Sequence, residues 1–321
     1  MIKSSISLFL LVAMLSSFSP ESEANGYFNK HNDLSAESNR RKPVLFKGVL
    51  DSYIGHIGRL VAYKDRKHKE VDRYCTFGIY LGYLAITAAE CVMEREESRE
   101  PRVRAPEEID LQLSYVMGAM APSPRIKAIY TGYDITRGGN YAVSRGAWMH
   151  GWAILVLDRE YTSKNWDQKI YIYKDLSRYL DTPAILAGYG SNPKPKPGSG
   201  EEDLSMEKLS YADCKIRKKV VNKNDEFLNM MLHDCNADTN DLGAAVMFCH
   251  KDDKHPRGDC RIVGIYVGQN IAHGGPAGWY DDYEEKIANI MVTTHAFQNT
   301  VNLIHRMRPG NDENDIGVTV R

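Results

Sequence analysis

The stretch that decides the fold is Leu84-Ala85-Ile86-Thr87-Ala88-Ala89-Glu90-Cys91. It begins with short β-prone residues, narrows to alanines, and ends on a charge and a cysteine. It closes an apolar run that starts at Thr76, with another cysteine, Cys75, immediately before that run. The same texture returns at Leu60-Val61-Ala62-Tyr63, Trp152 to Leu157, Ala184 to Ala187, Ala244 to Phe248 and Ile262 to Val267. Short apolar or alternating runs broken by Gly, Asp, Asn and Lys read as strands between turns, and this many of them predict an all-β sandwich or barrel. No period of about 20–50 residues repeats, so a solenoid or propeller is not expected. Asn192-Pro193-Lys194-Pro195-Lys196-Pro197-Gly198-Ser199-Gly200 cannot be a central strand or a helix, because proline removes donors and fixes φ. It reads as a surface loop. One helix is predicted, His295 to Met307, where Phe297, Val301 and Ile304 recur at helical spacing and Pro309-Gly310 stops the run. The acidic tail 308–321 is expected to fray.

Composition narrows the function classes. Of 321 residues, 43% are apolar and 10% aromatic, enough for a packed core and too many for a disordered chain. Forty-one Lys plus Arg against 42 Asp plus Glu leave a net charge of −1, so no bulk field attracts nucleic acid or an anionic membrane. Lys3, the apolar run Ile6 to Leu15 and the small-x-small site Ser22-Glu23-Ala24 predict a signal peptide over 1–24. That run is too short for a membrane span, which needs about 20 residues. The expectation is a secreted, extracellular protein with oxidised cysteines. Residues 25–42 read as a flexible polar extension. Arg40-Arg41-Lys42 within it is either a processing site or a solvated basic run.

With Cys75 upstream, the Leu84–Cys91 stretch resembles the disulfide-closed loop of the chymotrypsin/trypsin-like serine proteases (peptidase family S1), whose core reads roughly Leu-Thr-Ala-Ala-His-Cys. Trp152-Ala153-Ile154-Leu155-Val156-Leu157 is similar to the strand that follows the family's catalytic Asp. His233-Asp234-Cys235 followed by Asn240-Asp241-Leu242-Gly243-Ala244-Ala245-Val246 resembles the segment around its Gly-Asp-Ser-Gly-Gly-Pro motif. Ile185 to Gly190 looks like the strand opening the second barrel, and Val263 to Gly268 like the strand lining the substrate cleft. The pieces stand in family order and cover roughly 45–305. The resemblance implies a trypsin-like domain over 43–305, built as two packed antiparallel six-stranded β-barrels. Barrel 1 would span about 43–160, barrel 2 about 181–294, and the C-terminal helix 295–307.

The family's chemistry needs a Ser hydroxyl, an imidazole to take its proton and a carboxylate to orient that imidazole. The resemblance places Glu90 where the His belongs, Gly151 where the Asp belongs and Leu242 where the Ser belongs. Leu242 has no nucleophilic atom, so no acyl-enzyme forms there. His150, His233 and Asp234 lie near these positions in sequence. A relocated triad would still need a Ser or Cys on a turn that holds Asn240, Asp241 and Leu242. The expectation is therefore a non-catalytic homologue in which Asn240, Asp241 and Gly243 are the remnant of the oxyanion loop. Asp241 matches a motif residue whose carboxylate, in active members, pairs with the amino terminus made by zymogen cleavage. Val44-Leu45-Phe46-Lys47-Gly48 is only a loose counterpart of that terminus. The simpler reading is a turn carboxylate satisfied by backbone N–H groups.

The resemblance also implies the pairs Cys75–Cys91, Cys214–Cys235 and Cys249–Cys260, although six cysteines by themselves allow 15 pairings. Cys249, His250, His255 and Cys260 match zinc ligands in type. Glu94, Glu96, Glu97, Glu107, Glu108 and Asp110 are either a solvated acidic surface or a calcium site. No metal and no cofactor are expected. The function implied is a monomeric secreted protein that binds a protease, zymogen or protease inhibitor as a cofactor, decoy or regulator. Nucleic acid and membrane partners are not expected. Two alternatives remain: a carbohydrate- or surface-binding protein using Trp148/Trp152 and the Gly274 to Tyr283 loop with Trp279 and Tyr280, and a serine-type endopeptidase with an unconventional site.

Overall fold

The computed structural model describes residues 27–28, 42–43, 56–94, 102–113, 123–132, 150–161, 179–190, 209–221, 224–225, 227–252, 255–269, 279–280 and 288–307. In chain order the first ten strands are β1 (Tyr27–Phe28), β2 (Lys42–Pro43), β3 (Ile57–Tyr63), β4 (Val71–Tyr80), β5 (Leu84–Ala88), β6 (Met93–Glu94), β7 (Arg102–Val103), β8 (Ile109–Leu113), β9 (Ile126–Thr131) and β10 (Trp152–Leu157). Then come β11 (Pro183–Gly188), β12 (Ser210–Val221), β13 (Phe227–His233), β14 (Ala245–Asp252), β15 (His255–Gln269), β16 (Trp279–Tyr280), β17 (Asn289–Thr293) and the helix α1 (Gln298–Arg306). The all-β expectation holds, with a single α-helix among the described residues.

The first sheet has six antiparallel strands in the order β8-β3-β4-β5-β10-β9. Every residue of β5 is buried, and in β10 only Val156 is partly exposed, as expected for strands covered on both faces. The second sheet runs β11-β14-β15-β17-β13-β12 and closes through β11–β12, from Pro183↔Lys215 to Gly188↔Ser210, with β2 added outside β12. The second barrel is therefore closed as expected. The first differs from the expectation of full closure: among the described residues it is a half-barrel whose ends, β8 and β9, do not pair. On β9, Lys127 and Tyr130 face solvent, so this strand does not have the two apolar faces that enclosure requires.

The barrels share a core. Leu60, Phe77, Ile79, Leu111, Ile154 and Leu155 from the first sheet pack in one cluster with Met230, Leu232, Ile265, Val267 and Val292 from the second. A second cluster inside the closed barrel holds Tyr179, Leu186, Ile216, Val246, Val263 and Met291. Leu242 packs against both clusters, so the position resembling the nucleophile now helps join the two halves.

The predicted helix is present in a shorter form. Thr294–Ala296 form a 3₁₀ turn and α1 follows, with Phe297, Val301 and Ile304 buried on the first cluster. His305 and Arg306 stand in its last turn, where positive charge complements the helix dipole. The Tyr83 hydroxyl and His305 Nδ1 are hydrogen-bonded at 2.5 Å, tying the helix to the turn before β5.

Residues 1–24, the Pro-rich loop, Val44–Gly48 and the tail 308–321 lie outside the described residues. Of the 25–42 segment, Tyr27–Phe28 pairs in parallel with Trp279–Tyr280, and Lys42 with Pro43 pairs on Tyr211 and Ser210. No helix among the described residues is long and apolar enough to cross a membrane.

Candidate functional site

The three positions that the resemblance matches to a catalytic triad meet where the barrels join. After β5 the chain makes a 3₁₀ turn, Ala89–Cys91, which carries Glu90. The Ala89 N–H donates to the Gly151 carbonyl at 2.8 Å, setting the first position beside the second. The Cys91 sulfur lies 3.5 Å from the Leu242 carbonyl oxygen, which accepts the Thr76 N–H at 2.9 Å, so the third joins them. Glu90 is held by Arg73, whose Nη1 donates to the Glu90 carbonyl at 3.0 Å and lies 3.7 Å from its carboxylate. Gly151 is buried and, as glycine, offers no side chain there.

The turn matched to the nucleophile motif is tightly held. Thr239–Asp241 form a 3₁₀ turn, and Gly243 follows at φ +84. A Cβ on Gly243 would sit 2.2 Å from Thr87 Oγ1 and 2.3 Å from the Thr76 carbonyl, so this turn needs glycine for both conformation and space. Asp241 is fully buried: Oδ1 accepts the Gly190 N–H at 2.9 Å and Oδ2 the Asp238 N–H at 3.0 Å. Both are backbone donors of the kind that the simpler reading of this carboxylate calls for, while Val44–Gly48, the segment of the other reading, lies outside the described residues.

Two residues that shape the site were not singled out in the sequence. Thr76 is fully buried and staples the barrels. Its Oγ1 donates to the Asn240 carbonyl at 3.0 Å and accepts the Tyr189 N–H at 3.0 Å, while its own carbonyl accepts Thr87 Oγ1 at 2.7 Å. The other is Asp238, whose Oδ1 accepts the Asn240 N–H at 2.7 Å. In the serine protease template, backbone N–H groups at the positions matched by Asn240 and Leu242 stabilise the oxyanion. Here one of them is already engaged by a buried carboxylate. The signal was available, since an Asp two residues before a turn residue is an Asx-turn pattern.

The histidines near the site do not assemble a relocated triad. His150 is exposed beside Gly151. His233 is fully buried, accepts the Cys235 N–H on Nδ1 at 3.3 Å, and meets Tyr266 edge-on at 5.8 Å. Burial pushes its ring down to about 3, so it is neutral in ordinary solution. Asp234 turns instead to the Lys215 N–H and to Arg217.

All three expected disulfides form: Cys75–Cys91, Cys214–Cys235 and Cys249–Cys260. The last consumes the sulfurs that a zinc site would have used. Cys214, His233 and Cys235 cluster as metal-ligand types, but two of the three are bonded to each other. Of the acidic residues considered for calcium, Glu94 and Glu108 are paired with Arg102, and Asp110 accepts the Tyr63 hydroxyl at 3.0 Å. Trp152, considered as a stacking surface, is buried with its ring 6.1 Å from Phe297. That role is withdrawn for Trp152, because its ring is buried next to Phe297. Trp148 and residues 274–278 lie outside the described residues.

No protein-family model and no curated protein matches the chain. Solved structures do. A Glu endopeptidase matches at 13% identity with a TM-score of 0.50, covering 84% of this chain and 97% of that chain. A scabies mite inactivated protease paralogue matches at 14% identity with a TM-score of 0.47, covering 79% of this chain and 96% of that chain. At this identity the likeness is one of fold, and the fold is trypsin-like.

Proposed function

We propose that this chain is a secreted, catalytically inactive protein on a trypsin-like scaffold, acting by binding in an extracellular proteolytic system as a cofactor, decoy or regulator. The observation that carries the reading is Leu242, which stands at the position matched to the nucleophile on a turn that retains its glycine. The turn keeps Gly243 and its contacts with Thr76 and Thr87, yet it presents a hydrocarbon where attack would begin. Glu90 paired with Arg73 and the side-chain-free Gly151 point the same way. Without a triad only a residual 10³–10⁴-fold effect over water is expected, far below protease turnover. Recognition of an extended polypeptide uses the walls of the cleft rather than the triad, so loss of chemistry leaves binding available. The secreted location is supported by three disulfides, which persist in oxidising compartments.

Affinity capture tests the reading. The mature protein is immobilised and incubated with the fluid into which it is secreted, and the retained proteins are identified. Retention of a protease, zymogen or protease inhibitor supports the proposal. Retention of glycans alone replaces it with the carbohydrate-binding alternative. Labelling of the chain by a fluorophosphonate would overturn the non-catalytic reading.

A further inference from the structure

The Cys214–Cys235 disulfide borders the core of the closed barrel and sits in a buried polar cluster. Cys214 stands on β12 opposite Ala184 of β11, and His233 ends β13, opposite Ile216 of β12 and Asn289 of β17. Cys235 follows two residues later. A ring nitrogen of His233 and the sulfurs of Cys214 and Cys235 all lie within 4.8 Å of one another. His233, Cys235 and Asn289 are fully buried. Two polar atoms of this cluster, His233 Nε2 and Asn289 Oδ1, are enclosed with no hydrogen-bond partner among the described residues. The other polar atom of each side chain is fixed on Cys235. His233 Nδ1 accepts the Cys235 N–H at 3.3 Å, and Asn289 Nδ2 donates to the Cys235 carbonyl at 2.6 Å. Native interiors seldom leave buried polar atoms unpaired, so these two call for an explanation.

Two sulfurs and one imidazole nitrogen are the ligand types of a zinc site with three protein ligands and an open fourth position. With sulfur at about 2.3 Å and nitrogen at about 2.0 Å from the ion, tetrahedral ligand atoms stand roughly 3.5–3.8 Å apart. The ring nitrogen is therefore already in range, and only the two sulfurs must part. Burial keeps the ring neutral, so it offers a lone pair without first losing a proton. A metal-bound histidine hands its other N–H to an acceptor, and Asn289 Oδ1, on the residue across the ladder from His233, is an open one. The sulfurs ligate strongly only as thiolates, so the bond between them has to be opened first. A dithiol reductant does this by attacking Cys214, the less buried of the two, and expelling Cys235 as a thiolate. The second thiol of the reductant then releases Cys214, and the reductant departs as a cyclic disulfide. The chain gains two electrons and two protons, and metal binding returns those two protons to solvent.

We propose that reduction of the Cys214–Cys235 bond converts this cluster into a binding site for a thiophilic divalent metal such as zinc, held by Cys214, His233 and Cys235. The oxidised chain, the form suited to the secreted role proposed above, holds the disulfide instead, so the site belongs to the reduced chain alone. The test reduces the full-length protein under argon with a water-soluble trialkylphosphine, which becomes its oxide with water as the oxygen source. Cobalt(II) is then added as the visible probe, and near-ultraviolet dichroism follows the fold. The expected result is thiolate-to-cobalt charge transfer with the d–d bands of a tetrahedral ion, bleached by stoichiometric zinc and absent before reduction. C249S/C260S should keep this spectrum and C214S/C235S should lose it. H233Q, which retains a polar side chain of similar size, should weaken cobalt binding at least about tenfold, since loss of even an outer-shell partner costs that much. If reduction alone unfolds the chain, zinc added before the phosphine should preserve the near-ultraviolet signal. Three outcomes overturn the proposal: no tetrahedral spectrum in the folded reduced chain, a spectrum and affinity unchanged in C214S/C235S or H233Q, or unfolding that zinc does not prevent.

Discussion

Replacing Thr76 by Val removes one oxygen while keeping the shape of the side chain. It strips the Tyr189 N–H and the Asn240 carbonyl of a shared partner at a fully buried point between the barrels. Loss of a buried partner costs about 1–3 kcal/mol, so Thr76→Val should lower the urea midpoint accordingly with the slope unchanged. Gly243→Ala should be worse, because its Cβ would meet Thr87 Oγ1 at 2.2 Å at a φ of +84. Failure to recover folded protein is the expected outcome, and soluble material of normal stability would contradict the packing described. The buried His233 gives a pH dependence of defined sign. Its folded value is about 3 against 6.5 unperturbed, because burial disfavours the charged ring, and burial lowers His56 in the same direction. The unfolded chain takes up protons that the folded chain refuses, so stability is full above pH 6.5 and declines as pH falls toward 3. From His233 alone the slope approaches about 1.4 kcal/mol per pH unit. Urea midpoints between pH 7 and 4 should fall, and His233→Gln should flatten the decline.

Among the elements, α1 depends most visibly on a few side chains. Phe297 is fully buried against the first cluster and beside Trp152, and truncating such a residue to Ala costs about 3–5 kcal/mol. Phe297→Ala should destabilise the whole molecule and expose Trp152, read as a red shift of its fluorescence; an unshifted spectrum would mean the helix holds without it. This helix was legible because Phe297, Val301 and Ile304 recur at its period. Trp152–Leu157 was legible because both its faces are covered. The long strands were seen only in part. β4 starts at Val71, β12 extends through Arg217, Lys218 and Lys219, and β15 runs for 15 residues, beyond the apolar segments that announced them. Ladder hydrogen bonds join backbones whatever the exposed side chains are, so periodicity reveals only the buried stretch. For the same reason β9, half open to solvent, gave no signal.

At the scale of the whole molecule, the order of motifs along the chain carried the site, and the backbone brought the pieces together. Glu90, Gly151 and Leu242 are far apart in sequence and were aligned by resemblance. Their meeting depends on main-chain bonds, Ala89 to Gly151 and Thr76 to Leu242, that sequence spacing does not display. Asp238 was missed because the turn, not the residue type, decides whether its carboxylate faces solvent or the Asn240 N–H. On the function proposed above, the loss of activity then has two layers. Restoring the side chains in E90H/G151D/L242S returns a nucleophile, a base and an orienting carboxylate, but leaves Asn240 N–H bound to Asp238. Removing a single oxyanion donor costs about 10²–10³ in turnover. The triple variant should therefore react with a fluorophosphonate roughly 100-fold more slowly than the quadruple variant that adds Asp238→Ala, with near-ultraviolet dichroism checking that both are folded. Equal rates in the two folded variants would show that Asp238 does not block the donor, and would leave the substituted triad alone responsible for the loss.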